Sequence, residues 1–278
     1  MPELPEVETI VRDLKPRLTK STLRHPHLFK TDVLRRVSPK RLLATIKNAT
    51  VENVTRRAKH IVIELSNGSR VIIQPRMTGS LLIYDRPMSP SDRQYAVFRA
   101  RLDDGGLLVY RDVRRLGTIA LLNGRQWDSY TASIGPEPLE AEFDAERLYD
   151  ILRRTRQPVK KALMDQRLIA GIGNIYANEA LFRAGIDPSR RADRIQRLET
   201  DRLHVAVRDI LTAAVAASGT TIRDYRTGTG ESGSYQFGLH VYGRDGQPCR
   251  VCGTRLHTTH VIDNRATTFC WRCQGKGG

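Results

Sequence analysis

The apolar positions nearest the N-terminus recur with a helical period. Val7, Ile10, Val11 and Leu14 fall at i, i+3, i+4 and i+7, so residues 5–15 are predicted to form a helix with one buried stripe. Pro5 suits the first turn, where its missing N–H costs nothing, and Pro16 is expected to end the helix. From about residue 30 to 125 the period changes. HIVIEL (60–65), RVIIQ (70–74), SLLIY (80–84), YAVFRARL (95–102), GLLVY (106–110) and GTIALL (117–122) are short apolar runs, separated by turn sequences such as SNGS and DDGG. Such spacing predicts an antiparallel sandwich or barrel. The Gly- and Pro-bearing stretch 131–142 reads as a linker. Residues 143–217 return to a helical period, clearest in Leu203, Val207, Ile210, Leu211, Ala214 and Val215. Residues 226–236 are rich in Gly and Ser and are expected to be mobile. The expected organisation is therefore α+β: a β-sandwich domain (2–130), a linker (131–142), a helical domain (143–239) and a cysteine-bearing segment (240–275).

Charge changes the picture most. The chain has 278 residues, with 46 Lys+Arg against 30 Asp+Glu, a formal net charge of +16. Its basic residues are spread along the chain, as in a folded protein with a charged groove. A surplus of that size points to a polyanionic partner, nucleic acid before an acidic membrane. No apolar run is long enough to span a bilayer, and the acidic, Pro-punctuated start is unlike a signal peptide. A cytoplasmic, nucleoid-associated monomer is expected.

All four cysteines lie near the C-terminus, in CRVC (249–252) and CWRC (270–273). Two C-x2-C pairs separated by seventeen residues fit a four-thiolate zinc site built from Cys249, Cys252, Cys270 and Cys273. Four protein ligands leave no open position, so this zinc ion would be structural. Arg265, between the pairs, could sit at a hairpin tip and meet a phosphate. Further upstream, GIGN (171–174) leads into an apolar helical pattern. Asn174 is a suitable N-cap for a helix over 175–184, and Gly185 a suitable terminator. A Gly-rich turn into a helix N-terminus is also a ready phosphate site.

The first eight residues pose a separate question, because a very basic chain opens with Glu3, Glu6 and Glu8. Helix-dipole complementarity accounts for Glu8 and part of Glu6, but Glu3 precedes the helix. If Met1 is removed, Pro2 becomes a free secondary amine, a nucleophile able to form an imine-type intermediate, with Glu3 beside it as general acid.

Eight segments in order, PELPEVET, RRAKH, MTGSL, DVRRLG, GPEPL, LMDQRLIAGIGNIYANE, VYGRDGQPCRVCG and RATTFCWRCQ, cover residue 2 to about 274. Together they make the chain similar to the bacterial formamidopyrimidine-DNA glycosylases. That resemblance implies a β-sandwich, a helical domain with a helix–two-turns–helix motif, and a terminal zinc finger, with duplex DNA lying in the cleft between domains. It implies a bifunctional glycosylase and abasic-site lyase of base excision repair. Such an enzyme flips an oxidised purine, 8-oxoguanine or a formamidopyrimidine, out of the duplex. The N-terminal proline displaces the base, and β- and δ-elimination then cut the strand. By resemblance, Pro2 is the nucleophile, Glu3 the acid, Lys59 the lysine that binds phosphate and serves β-elimination, and Arg265 a phosphate clamp with a part in δ-elimination. Glu6, Lys160 and Asn174 match further residues at the DNA site.

Departures from the family pattern lie in one loop and its neighbours. DVRRLG stands where DPRRFG is usual, so Met77 and Arg114 remain but Leu116 replaces the aromatic residue that helps fill the space left by a flipped base. Val113 removes a proline, Gln74 stands where a histidine is common, and Arg93 falls near another such histidine. These changes bear on lesion search and opposite-base preference. Relatives that prefer oxidised pyrimidines typically open PEGPE, against PELPE here. A binding protein that had lost catalysis would be expected to show it at Pro2, Glu3 or Lys59, and all three are present.

Overall fold

Strand-forming segments that must be covered on both faces explain why HIVIEL and RVIIQ read as unbroken apolar runs. The computed structural model describes residues 2–221 and 227–275. Met1 and Arg226, on which the expected N-terminal processing and the start of the Gly/Ser-rich stretch fall, lie outside them. Nine strands join in the order β2-β9-β5-β4-β3-β1-β7-β8-β6. They are β1 (Thr22–Leu28), β2 (Leu34–Arg35), β3 (Ala49–Arg57), β4 (His60–Leu65), β5 (Arg70–Gln74), β6 (Gly79–Tyr84), β7 (Ala96–Arg101), β8 (Leu107–Asp112) and β9 (Thr118–Leu122). All pair antiparallel except β2 with β9.

One core joins the two halves of this order. Ile61 and Ile63 of β4, Val71 and Ile73 of β5, and Ile119 and Leu121 of β9 pack with Leu81 of β6, Phe98 of β7 and Leu108 and Tyr110 of β8. The opposite face of β4, β5 and β9 offers Val62, Ile72 and Leu122 to Trp127 and Tyr130 of a short helix, Gly124–Thr131. The sandwich expected from the run lengths is therefore present, with an outer cover that alternation alone does not reveal.

Among the described residues the α-helices are α1 (Leu4–Leu18), α2 (Pro39–Ile46), α3 (Pro90–Gln94), α4 (Gly124–Thr131), α5 (Ala145–Arg153), α6 (Val159–Met164), α7 (Asn174–Ala184) and α8 (Arg197–Ala216). Leu4, Val7, Ile10, Val11, Leu14 and Leu18 of α1 are buried, the first-turn proline is in place, and Pro16 lies inside the helix rather than ending it. Arg12, whose carbonyl loses its donor to Pro16, is exposed, as is Pro16 itself. Water can therefore satisfy that carbonyl, and burial of Leu18 carries the helix one half-turn further. A second correction concerns α7, whose N-cap is Gly173, with Asn174 as its first helical residue. Gly185 closes it in the left-handed conformation, φ 70°.

Contacts divide the chain into two compact units, Met1–Ser133 with Ala217–Ser234, and Ile134–Ala216 with Tyr235–Gly278. Residues 217–221 and 227–234 thus cluster with the sheet, within the stretch assigned above to the helical domain. In the second unit, α8 packs on α5 and α7, and a two-stranded hairpin, β10 (His257–Thr259) and β11 (Thr267–Phe269), rests against α7. Among the described residues no helix is long and apolar enough to cross a membrane.

Candidate active site

Pro2 and Glu3 lead directly into α1, and both are buried. Glu3 is the N-cap residue, with extended backbone, and forms a reciprocal capping box with Glu6. Its N–H donates to Glu6 Oε2 at 2.7 Å. The other Glu6 oxygen accepts the Thr220 N–H, also at 2.7 Å, and Glu6 is 1% exposed. A Cβ on Gly219 would lie 2.8 Å from Glu6 Oε1, so glycine is required for that approach. Glu6 therefore spends its oxygens on two backbone amides, one beside the N-terminal proline and one in the segment after α8. Asp13, two turns along α1, accepts the Gly228 N–H at 2.9 Å. Burial pushes its carboxyl above the usual range, against the opposing effect of amide donors from Gly228 and Thr229.

Lys59 lies in the two-residue turn between β3 and β4, where Ala58 takes φ 52°. Lys59 is buried. Glu8 helps set this turn. Its carboxylate pairs with Arg56 at 2.8 Å, and Arg56 in turn donates to the Ala58 carbonyl at 3.1 Å. The three early glutamates thus have three distinct placements, of which only Glu3 stands next to the amine.

A second group of candidates surrounds Asp112 at the end of β8. Thr78 donates its hydroxyl to Asp112 Oδ1, Gly117 N–H donates to Asp112 Oδ2 at 2.8 Å, and Arg114 N–H donates to the Thr78 oxygen at 2.9 Å. This clamp fixes both ends of the loop 113–116. Beyond it, Met77 and Leu116 are exposed by 43% and 40%, and an Arg114 guanidinium nitrogen stands 3.5 Å from the Met77 sulfur. A polar clamp beneath three exposed, long or apolar side chains is an arrangement suited to entering a base step. Val113 is exposed beside them. Gln74, at the end of β5, is bonded by Arg76 at 3.3 Å. Arg93, in α3, is exposed and donates to the Met88 carbonyl.

In the second unit, Gln166 holds the Gly-rich turn before α7 by accepting the Gly171 N–H and donating to the carbonyls of Met164 and Ile172. Asn174 donates from its side-chain amide to the Ala266 carbonyl at 3.0 Å, tying α7 to the residues before β11. Arg265 is exposed in the connection between β10 and β11. The Sγ atoms of Cys249, Cys252, Cys270 and Cys273 all lie within 4.8 Å of one another. Two of the separations are 3.9 Å (Cys249 to Cys273) and 3.5 Å (Cys252 to Cys270). Zinc–sulfur bonds of about 2.3 Å in a tetrahedron require sulfur separations of about 3.8 Å, so the donor set fits such an ion.

The comparisons with known proteins agree with this layout. Residues 1–119 match the family model of the formamidopyrimidine-DNA glycosylase N-terminal domain, and residues 134–226 match that of the formamidopyrimidine-DNA glycosylase H2TH domain. A formamidopyrimidine-DNA glycosylase of Thermomicrobium roseum is 40% identical, with 99% of each chain covered. One from Xanthomonas axonopodis pv. citri is 39% identical over 99% of this chain and all of its own. The chain belongs to the formamidopyrimidine-DNA glycosylase family. Two solved structures of a Lactococcus lactis member, a point variant with Fapy-dG-containing DNA and an enzyme with abasic-site DNA, superpose with TM-scores of 0.90 and 0.89 at 30% and 31% identity. Each match covers 99% of this chain and 100% of the other.

Within that family frame, two of the residues expected at the DNA site are buried. Glu6 is 1% exposed, and each of its oxygens accepts a backbone amide. Lys160, in α6, is 0% exposed, and its Nζ donates to Asp263 and Thr267, pairing that offsets the cost of desolvating the ammonium. Several residues at these sites were not singled out from sequence: Arg56, the partner of Glu8, then Asp13, Thr78 with Asp112, and Asp263. Each joins segments far apart in the chain. Their only sequence signal was position within or beside a motif of the formamidopyrimidine-DNA glycosylases.

Proposed function

We propose that this protein is a bifunctional DNA glycosylase and abasic-site lyase of base excision repair, acting on oxidised purines such as 8-oxoguanine and formamidopyrimidines in duplex DNA. The observation that carries the reading is the junction at the start of α1, where a prospective N-terminal amine is followed at once by a buried carboxyl whose own amide is fixed by Glu6. Membership of the glycosylase family supplies the substrate class, and the lactococcal complexes with damaged DNA support duplex DNA as partner.

Removal of Met1 exposes the Pro2 nitrogen. Its lone pair attacks C1′ of the damaged nucleotide while Glu3 gives a proton to the sugar ring oxygen, and the base departs with the glycosidic electron pair. The nitrogen gives its own proton to the departing base, the C1′–O4′ bond opens as the ring oxygen keeps the proton from Glu3, and the C1′–nitrogen iminium so formed acidifies C2′. Loss of a C2′ proton expels the 3′ phosphate, with Lys59 near that step, and a second elimination expels the 5′ phosphate, where Arg265 has its part. Water finally releases Pro2. Met77, Arg114 and Leu116 occupy the space that the flipped base leaves. Cys249, Cys252, Cys270 and Cys273 would hold a zinc ion, which when bound would supply a structural crosslink beside the segment carrying Arg265. The protein works as a cytoplasmic monomer on the nucleoid.

Borohydride reduces an iminium to a stable amine, so trapping tests the central step. A duplex with 8-oxoguanine opposite cytosine should give a covalent adduct mapped to Pro2, and strand cleavage when borohydride is omitted. Pro2→Gly and Glu3→Gln should each lower excision by at least about 100-fold, the scale of lost nucleophilic or acid catalysis. Normal cleavage by either variant would sink the mechanism. An adduct formed only with 5-hydroxycytosine or abasic duplexes would keep the mechanism and move the specificity.

A further inference from the structure

Lys160 is fully buried, and two of the groups that hold it also hold Arg265. Its ammonium donates to Asp263 Oδ1 at 3.1 Å and to Thr267 Oγ1 at 2.8 Å. Asp263 Oδ1 accepts the Arg265 N–H as well, at 3.2 Å. The Thr267 hydroxyl, accepting from the lysine, turns its own proton toward the Arg265 carbonyl at 3.4 Å. Both peptide groups flanking the Arg265 side chain are therefore gripped by groups that one buried ammonium organises.

Neighbouring groups complete the grip. Asn174 donates to the Ala266 carbonyl, and Asn178 accepts the Thr268 N–H at 2.9 Å. Asn264 takes a left-handed φ of 59°, with its N–H on the His260 carbonyl at 3.0 Å. The backbone from 263 to 268 is thus fixed by side chains of α6 and α7, while the Arg265 side chain remains exposed. An arginine on a loop that must order itself loses affinity to that ordering, and a loop already ordered does not.

We propose that Lys160 is a positioning residue for Arg265: it acts through Asp263 and Thr267 to set where the guanidinium meets a DNA phosphate, and does not itself touch DNA. The proposal rests on the reading of the protein as a DNA-lesion enzyme. A buried ion pair suits this task because its geometry is restrictive, and loss of either partner leaves an uncompensated charge.

The test uses the full-length, zinc-loaded protein and a duplex carrying a tetrahydrofuran abasic-site analogue, which cannot form the iminium. Affinity is measured across a salt series. Arg265→Ala should reduce the slope of log affinity against log salt by about one, the effect of one lost phosphate contact. Lys160→Met should reduce it in the same direction, and should add nothing further in an Arg265→Ala background. On 8-oxoguanine duplex, Lys160→Met and Arg265→Ala should both shift the products from δ- toward β-elimination, which a loss of folded enzyme alone would not do. Asp263→Asn, close in shape to the native residue, should repeat both results, and it carries the test if Lys160→Met sheds zinc. Independent, additive losses of slope would show that Lys160 meets a phosphate itself and would overturn the proposal. So would unchanged slope and products in Lys160→Met and Asp263→Asn. Wild-type protein with no preference for the abasic duplex over undamaged DNA would instead overturn the underlying reading, and the proposal with it.

Discussion

Leu116 stands where the family pattern has an aromatic residue, on a loop whose backbone is held without it. The loop that carries it is fixed from beneath by Asp112 and Thr78, not by the side chain at its tip. Gly117 has no room for a Cβ, which would lie 1.9 Å from the Tyr110 hydroxyl. Burial, and then the neighbouring Asp112 carboxylate, push the Tyr110 phenol up, so it stays protonated and donates to that carboxylate. Position 116 is thus free to vary on a rigid stem. Leu116→Phe should leave stability unchanged and favour lesion-containing over undamaged duplex by on the order of 1 kcal/mol, about fivefold, through base stacking. Competitive binding of the two duplexes measures it. At this scale the exposed residues were legible, because motif spacing displays them. The clamp was not, since Thr78 and Asp112 meet only after β6 and β8 pair.

The element that gathers most of the chemistry is α1. One face enters the core, and its carboxylates reach outward to three different segments: Glu6 to Thr220, Glu8 to Arg56, and Asp13 to Gly228. The Asp13 carboxyl is raised by burial, so the folded state holds its proton more tightly than the unfolded chain does. That contribution is fully present below the unfolded carboxylate range and is lost as pH rises through the folded value. Asp13→Asn keeps an acceptor for the Gly228 N–H and removes the buried charge. It should match wild type in acid and become the more stable of the two as pH rises toward neutrality, as seen in melting temperatures across a pH series. The apolar stripe of α1 was legible from its period, but the tolerance of Pro16 was not, because it depends on which face meets water. Helix α2 carried signals that went unused: Ser38 caps it by accepting the Arg41 N–H, and Pro39 opens it. Strand β1 was hidden for a physical reason. It holds Pro26, takes φ 47° at His25, and shifts register between Arg24 and His27.

Across the whole molecule, the net charge of +16 and the four-cysteine cluster are the properties that composition and spacing reveal without any fold. Cysteine spacing is local in sequence, so the four-cysteine cluster was readable in full. The core that surrounds it is small: Phe182, Val241, Leu256 and the cysteines themselves. Such a core cannot hold a hairpin alone, and structural zinc contributes on the order of 10 kcal/mol in comparable sites. Chelation should therefore abolish binding of damaged duplex, and hydrogen exchange should show protection lost over residues 240–275 but retained in the sheet. Zinc restored in equimolar amount should recover both.

Residues 217–221 and 227–234, which return to the sheet unit after the helices, have a consequence for how the protein is made. A ribosome delivers the first 133 residues long before the amides of Thr220 and Gly228. Until those arrive, the Glu6 and Asp13 carboxylates must stay solvated or find temporary partners, and the first turn of α1 cannot settle. The sheet unit is thus completed late in synthesis, after about five-sixths of the chain has been made, although its first residues are the first to be ready.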